Sequence, residues 1–187
     1  VPLAGAPFRS PSPSEQAFYG SRTVNIAQHL RSKAVPFQGC RHPSVKNALA
    51  LAKVLHADPR TVAKSVLLRV NGGFKYLVAV LPATHVVDFE KLSKAFGGTH
   101  VHLATQAEIT ERCPDCERGT IPPFGTMYGL ETIVDPTLAE NDVVVFEGNS
   151  FEDAIRMSYR DYYDVEHPLV VEFAIPAQST PSAPKPR

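Results

Sequence analysis

Two runs of apolar and β-branched residues, Lys64 to Val70 and Phe74 to Leu81, are separated by Asn71-Gly72-Gly73. Asn and Gly supply the positive φ that a tight turn needs, so the spacing predicts a β-hairpin, the strongest local signal in the chain. Upstream, Val24, Ile26, Ala27 and Leu30 predict a helix that stops before Pro36, with Val35 to Cys40 extended after it. Ser44 is read as the N-cap of a second helix through Val45, Ala48, Leu49, Ala52 and Leu55, and Asp58-Pro59 as the opening of a short helical turn. Downstream, Asp88 caps a helix that ends at Gly97-Gly98, Thr99 to Leu103 is a strand, and Thr105 with Glu108 has capping-box spacing for a further helix. Strands follow at Met127 to Val134, Asp142 to Glu147 and Ala154 to Ser158, then a polar helix at Tyr159 to Glu166 and a last strand at Leu169 to Ala174. Helices and strands alternate early and strands cluster late. This order predicts an α/β (α+β) domain built on a mixed, curved β-sheet with helices outside it.

Proline placement sets the expected boundaries. Eight of the 17 prolines fall within Val1 to Ser21 and Pro176 to Arg187, so a folded unit is expected over residues 22 to 175, with Pro/Ser-rich flexible segments at 1–21 and 176–187. At 187 residues and 43% hydrophobic content the chain suits one domain with a real core. No stretch approaches the roughly 18 apolar residues of a membrane span, and the first residues lack a basic region followed by an apolar run. A cytoplasmic protein with no membrane contact is expected, and three cysteines, Cys40, Cys113 and Cys116, fit free thiols better than a disulfide framework.

The net charge of zero hides a division. Residues 1 to 75 carry eleven Lys/Arg against Glu15 and Asp58, whereas residues 76 to 187 carry eight Lys/Arg against seventeen acids. A basic face drawn from the first segment could collect a polyanion through local neutralisation of phosphates. Alternatively, folding interleaves the two sets.

Among residues that could carry chemistry, Lys64 stands out, because strand alternation puts it on the side of Val66, Leu68 and Val70. It either snorkels to water or fixes a cation at a pocket rim. Gly119-Thr120-Ile121-Pro122-Pro123-Phe124-Gly125 is a second such feature: two prolines stiffen it, and its glycines let backbone N–H groups approach a ligand, as an oxyanion requires. Cys113-Pro114-Asp115-Cys116 has the spacing of a redox pair or half a zinc site, but no second pair follows, and His100, His102 and His42 complete no ligand set. No metal or cofactor is expected. Walker, dinucleotide-binding, HExxH and GxSxG motifs are absent from the sequence.

Three features together, His42-Pro43, Ala63-Lys64-Ser65-Val66 and the Gly119 to Gly125 loop, resemble the YbaK/prolyl-tRNA-synthetase-associated editing domains, a family of aminoacyl-tRNA deacylases, over most of residues 22 to 175. A run similar to Asp115-Cys116-Glu117 also occurs in such sequences, which lowers the redox and zinc readings. The resemblance implies a partly barrel-like sheet and a trans-editing enzyme that hydrolyses the ester of a small amino acid mischarged on tRNA. Lys64 is then expected to hold the terminal phosphate or ribose, and the loop, with Gly119 and Gly125, to position the carbonyl and water. His42, Pro122, Phe124, Val86, Met127 and Ser150 are expected around the substrate, with Ser158 and Asp161 nearby, and Arg41 and Lys46 on the tRNA. Partners implied are mischarged tRNA and an aminoacyl-tRNA synthetase. The competing expectation is a non-catalytic module that binds tRNA ends or a synthetase on the same fold; the presence of Lys64 and the loop glycines favours the enzyme.

Overall fold

The computed structural model describes residues 25–70, 75–116 and 120–177. The segment 1–21, the tail from 178, the Asn71-Gly72-Gly73 turn and Gly119 lie outside the described residues. In chain order the elements are α1 (Ile26–Ser32), β1 (Gln38–Arg41), α2 (Ala48–Val54), β2 (Ala63–Val70), β3 (Lys75–Pro82), β4 (His85–Val87), α3 (Phe89–Ala95), β5 (Val101–Leu103) and α4 (Gln106–Arg112). A 3-10 turn (Gly125–Tyr128) then leads to β6 (Glu131–Val134), α5 (Pro136–Ala139), β7 (Val143–Glu147), β8 (Asp153–Ser158), α6 (Tyr159–Glu166), β9 (Leu169–Val170) and β10 (Ala174–Pro176).

β2 and β3 pair antiparallel over eight residues, from Ala63 opposite Pro82 to Val70 opposite Lys75, as the two apolar runs require. This pair sits inside a mixed five-stranded sheet of order β5-β2-β3-β6-β9, in which β3, β6 and β9 run parallel. A three-stranded antiparallel sheet, β1-β8-β7, and a β10-β4 pair complete the strands. Among the described residues the sheets stay open and no barrel closes. One parallel bridge, Val62 to Val145, links the start of β2 to β7.

Alternation along the central pair divides the core. Leu67, Val78 and Val80 face a cluster that takes in α1 and the fully buried Phe124, Phe146 and Tyr162. The Phe124 ring meets those of Phe146 and Tyr162 edge to face at 5.5 and 5.4 Å, each such pair adding about 0.5–1.5 kcal/mol beyond its buried area. Leu68, Val70, Leu77, Ala79 and Leu81 face the opposite cluster with Leu92 and Phe173. Val62, Ala83, Val145 and Ala154 pack with α2 in a third.

The caps at Asp88 and Thr105 form as the sequence predicts, and Ser158 caps the helix that follows it. Several boundaries differ. The N-cap of α2 is Asn47, whose side chain accepts from Ala50 N–H, rather than Ser44, because Val45 N–H is drawn to the Phe151 carbonyl and is held out of the helix. Asp58-Pro59 forms a turn, not a helix: Asp58 spends its carboxylate on Arg60 and its carbonyl on Thr61. The expected strand from Met127 begins instead as the 3-10 turn, since Gly129 takes a left-handed φ of 66° and Glu166 grips Thr126. β4 and α5 have no counterpart in the sequence reading.

The expected final strand is broken in two by a buried carboxylate. Asp135 is fully buried and caps α5 through Thr137, while its other oxygen accepts from Phe173 and Ala174 N–H at 2.9 and 2.7 Å. Those bonds lift the chain off β9 and redirect it onto β4, so β10 runs through Pro176, past the expected boundary at 175. Burial opposes ionisation of Asp135, but hydrogen bonds from Thr137, Phe173 and Ala174 outweigh it and hold the carboxyl below its usual range. A depressed carboxyl stabilises the fold above its unfolded pKa and loses that contribution as pH falls through the folded value. Asp135→Ala should therefore lower stability by about 3 kcal/mol at pH 7, as buried N–H donors lose a charged acceptor. In urea denaturation the deficit relative to wild type should shrink as the pH is lowered below 4.

Candidate active site

The central observation is a group of buried or half-buried polar side chains with no partner at one end of the β1-β8-β7 sheet. Strand pairing explains how they meet. Cys40, Ala154 and Glu147 lie in one row across the three strands, and His42 continues the line of Cys40 because its N–H pairs with the Glu152 carbonyl at 2.9 Å. On the other side of β7, Val145 N–H donates to the Thr61 carbonyl at 2.9 Å beside the Val62–Val145 bridge. Lys64 stands two residues beyond Val62 and Glu147 two beyond Val145, each just past this isolated bridge.

Lys64 is half-buried, burial pushes its ammonium pKa down, and no described residue pairs with it. Burial pushes the Glu147 carboxyl up to about 7, and its Oε1 is buried without a hydrogen bond. His42 is 8% exposed. Its Nδ1 lies 2.9 Å from the Pro43 carbonyl, which can only accept, so Nδ1 carries the proton and the neutral ring leaves the buried Nε2 as an unused acceptor. Asp153 accepts from Ser150 Oγ at 2.8 Å through Oδ2, while Oδ1 faces Arg41 Nε at 3.6 Å, an ion pair longer than a hydrogen bond. A half-buried cation, a carboxyl that ionises near neutrality and an imidazole acceptor can attract an anionic substrate and take a proton from water.

The loop 148–152 ties this end to the Gly/Pro loop. The Asn149 carbonyl accepts from Thr120 Oγ1 at 3.1 Å, its Oδ1 accepts from Ile26 N–H at 3.2 Å, and its amide donates to Tyr128 Oη at 3.2 Å. Gly148 N–H in turn donates to the Asp153 carbonyl.

The expected site residues divide. His42, Ser150 and Arg41 lie at this sheet end, Lys64 stands at the start of β2 just past its bridge to β7, and Lys46 is exposed just ahead of the α2 cap. Thr120 through Gly125, with Pro122, are buried. Gly125 N–H is already taken by Thr132 Oγ1 at 3.0 Å, and an added Cβ would lie 2.6 Å from that oxygen. Gly125 thus forms a packed corner rather than offering a peptide donor, and Phe124 is a core ring rather than a wall of the site. Met127 packs half-buried against the first core, and Val86 is exposed on β4 opposite Ile175, away from the strands that carry the site. Ser158 and Asp161 cap α6 reciprocally. A cavity of about 520 Å³, lined by Gln38, Cys40, Leu55, Thr61, Val145 and Arg156, is not lined by Lys64, His42 or Glu147.

Glu147, Asp153 and Asn149 were not singled out by sequence. The alternation that marks Lys64 marks Glu147 as well, an acid at the end of a strand on the side of Val143 and Val145.

Residues 42–165 match the aminoacyl-tRNA editing domain family. The Escherichia coli K12 Multifunctional Ser/Thr-tRNA deacylase ProXp-y is 27% identical over 147 residues, spanning 77% of this chain and 87% of that protein. The proline–tRNA ligase of Geobacillus thermodenitrificans is 30% identical over 97 residues, covering 52% of this chain and 17% of the ligase. A solved structure described as a candidate trans-editing enzyme for prolyl tRNA synthetase superposes with a TM-score of 0.71 at 18% identity, covering 89% of this chain and 99% of that one, a likeness of fold.

The raised Glu147 carboxyl gives a test with a definite sign. Its folded pKa near 7 exceeds the unfolded 4.5, so the folded state binds the extra proton and stability falls as pH rises between those values. Glu147→Gln, which mimics the protonated form, should melt with wild type at pH 5 and above it at pH 8. Equal differences at the two pH values would remove the buried, unpaired carboxylate.

Proposed function

The chain belongs to the aminoacyl-tRNA editing domain family, and from that premise we propose that it acts in trans to hydrolyse the ester joining a small amino acid to the 3′ end of a mischarged tRNA. The observation that carries this reading is the half-buried, unpaired Lys64 just past the bridge from β2 to β7, with buried unpartnered atoms on Glu147 and His42 at the end of the adjoining sheet. The span of 87% of a Ser/Thr-tRNA deacylase supports it. Lys64 meets the anionic 3′ end and sets the ester over the sheet end. Glu147, or His42 through Nε2, accepts a proton as water adds to the ester carbonyl, and the tetrahedral intermediate then expels the ribose oxygen, which takes up a proton. The Gly119 amide is the proposed donor to the carbonyl oxygen. This chemistry uses a water nucleophile and calls for no Ser/His/Asp set.

The place of action is the cytoplasm, where charged tRNA is found; no helix among the described residues is long and apolar enough to cross a membrane. A synthetase is the proposed further partner, in keeping with the match to proline–tRNA ligases. For tRNA itself, three cations of the basic segment are paired with acids of the other: Arg41 with Asp153, Arg69 with Glu108 and Lys75 with Glu131. Interleaving thus accounts for part of the charge division. Lys46 and Lys53 remain exposed and unpaired among the described residues, on the turn before α2 and on that helix.

Lys64→Ala should reduce deacylation across a panel of Ala-, Ser-, Thr- and Cys-charged tRNAs by about 100-fold or more, the scale of losing one group that stabilises the transition state. The melting temperature should hold, because the side chain has no partner in the fold. Retained turnover would remove Lys64 from the site, and tRNA binding by wild type without turnover would favour the non-catalytic module.

Because Arg41 also engages Asp153, Lys46→Glu is the cleaner probe of the tRNA face. It should raise KM, leave kcat unchanged and flatten the salt dependence of tRNA affinity by about one unit of slope. Equal affinities with parallel salt slopes would place tRNA elsewhere.

A further inference from the structure

Cys113 and Cys116 flank a turn that brings the residues into contact: Cys116 N–H donates to the Cys113 carbonyl at 3.2 Å, and each thiol shifts the pKa of the other. Their environments differ. Cys113 is 1% exposed, and the hydrogen bond to Cys116, together with burial, raises its pKa. Cys116 is partly exposed, and donation from the Cys113 thiol, helped by Tyr128 and Asn149, lowers its own. Tyr128 Oη lies 3.2 Å from Cys116 Sγ and the Asn149 amide nitrogen 3.9 Å from it. The same Asn149 holds Thr120 through its carbonyl and Ile26 through Oδ1, two residues beyond Glu147.

We propose that Cys113 and Cys116 form a peroxide-oxidised dithiol whose disulfide loosens the Asn149 loop and so lowers the activity of the adjoining site. The Cys116 thiolate attacks one oxygen of hydrogen peroxide; an S–O bond forms, the O–O bond breaks and hydroxide leaves with the electron pair. Cys113, giving its proton to that hydroxide, attacks the Cys116 sulfenic sulfur, forming the S–S bond and expelling the second oxygen, which leaves as water once protonated. Overall, two thiols and one peroxide give one disulfide and two waters, with two electrons passing from sulfur to oxygen. A turn of four residues with an i to i+3 hydrogen bond keeps the Cα atoms within about 7 Å, compatible with closure by a small adjustment. A disulfide sulfur has no proton to give and is a poor acceptor, so the contacts of Tyr128 and the Asn149 amide with the Cys116 sulfur weaken. The effect on turnover rests on the deacylase reading; disulfide formation and loop loosening do not.

The full chain treated with hydrogen peroxide and analysed by intact mass should lose about 2 Da, with the link mapped to Cys113 and Cys116. Cys40→Ser should behave as wild type, and Cys113→Ser should stop at a sulfenic acid trapped by dimedone. Amide exchange at residues 148–152 should accelerate on oxidation, and deacylation should fall at least fivefold and recover with dithiothreitol. An unchanged mass, or a link through Cys40, would overturn the proposal, as would a disulfide that leaves amide exchange at 148–152 unaltered. If reduced wild-type protein has no deacylase activity, the functional reading fails, while the mass and exchange measurements still decide this one.

Discussion

The antiparallel pairing of β2 with β3 is the interaction on which the rest of this structure depends. Its eight-residue register commits Leu67, Val78 and Val80 to one core and Leu68, Leu77 and Leu81 to the opposite one, while Val62 and Ala83, just beyond its open end, reach into the third. A slip by one residue would exchange the two faces along the whole pair, so burial on both sides fixes the register. The same register sets Lys64. It falls where β2 leaves the bridge to β7, late enough to enter the fold and early enough that no acid of the five-stranded sheet pairs with it.

That placement carries a stability penalty. Glu147 and His42 each hold a polar atom that burial has removed from water without supplying a partner, and partial burial disfavours the charged form of Lys64. Two other buried carboxylates are satisfied: Asp135 accepts from Thr137, Phe173 and Ala174, and Glu166 accepts from Thr126 and Thr132. Those two serve the fold itself, one redirecting the chain after β9 and the other holding the 3-10 turn. The open end is held in shape by Asn149, which joins α1, the Gly/Pro loop and Tyr128.

At the described end of the Gly/Pro loop the physical premise holds but serves the fold itself. Glycine does permit close backbone approach, but at Gly125 what approaches is the protein's own Thr132 hydroxyl, and the peptide N–H is spent there. Phe124 likewise turns inward, since α1, β7 and α6 together enclose a ring-sized space that loop composition does not disclose. Ser158 and Asp161 have the residue types of a polar site and serve as a helix cap. In each case a side chain able to serve a ligand is claimed by a nearer partner.

The sequence by itself determined the hairpin, the caps at Asp88 and Thr105, the mixed α/β class and the position of Lys64 on an apolar face, because these rest on local torsion preferences and on alternation within one strand. Tertiary structure alone decided that β7, which ends in Glu147, bridges the start of β2 just before Lys64. Glu147 lies 83 positions further along the chain, and Asp135 meets Phe173 and Ala174 across 38 and 39 positions. Such pairs follow from how separate strands align, and the energy that aligns them is the summed burial of three cores rather than any signal carried by the residues that meet.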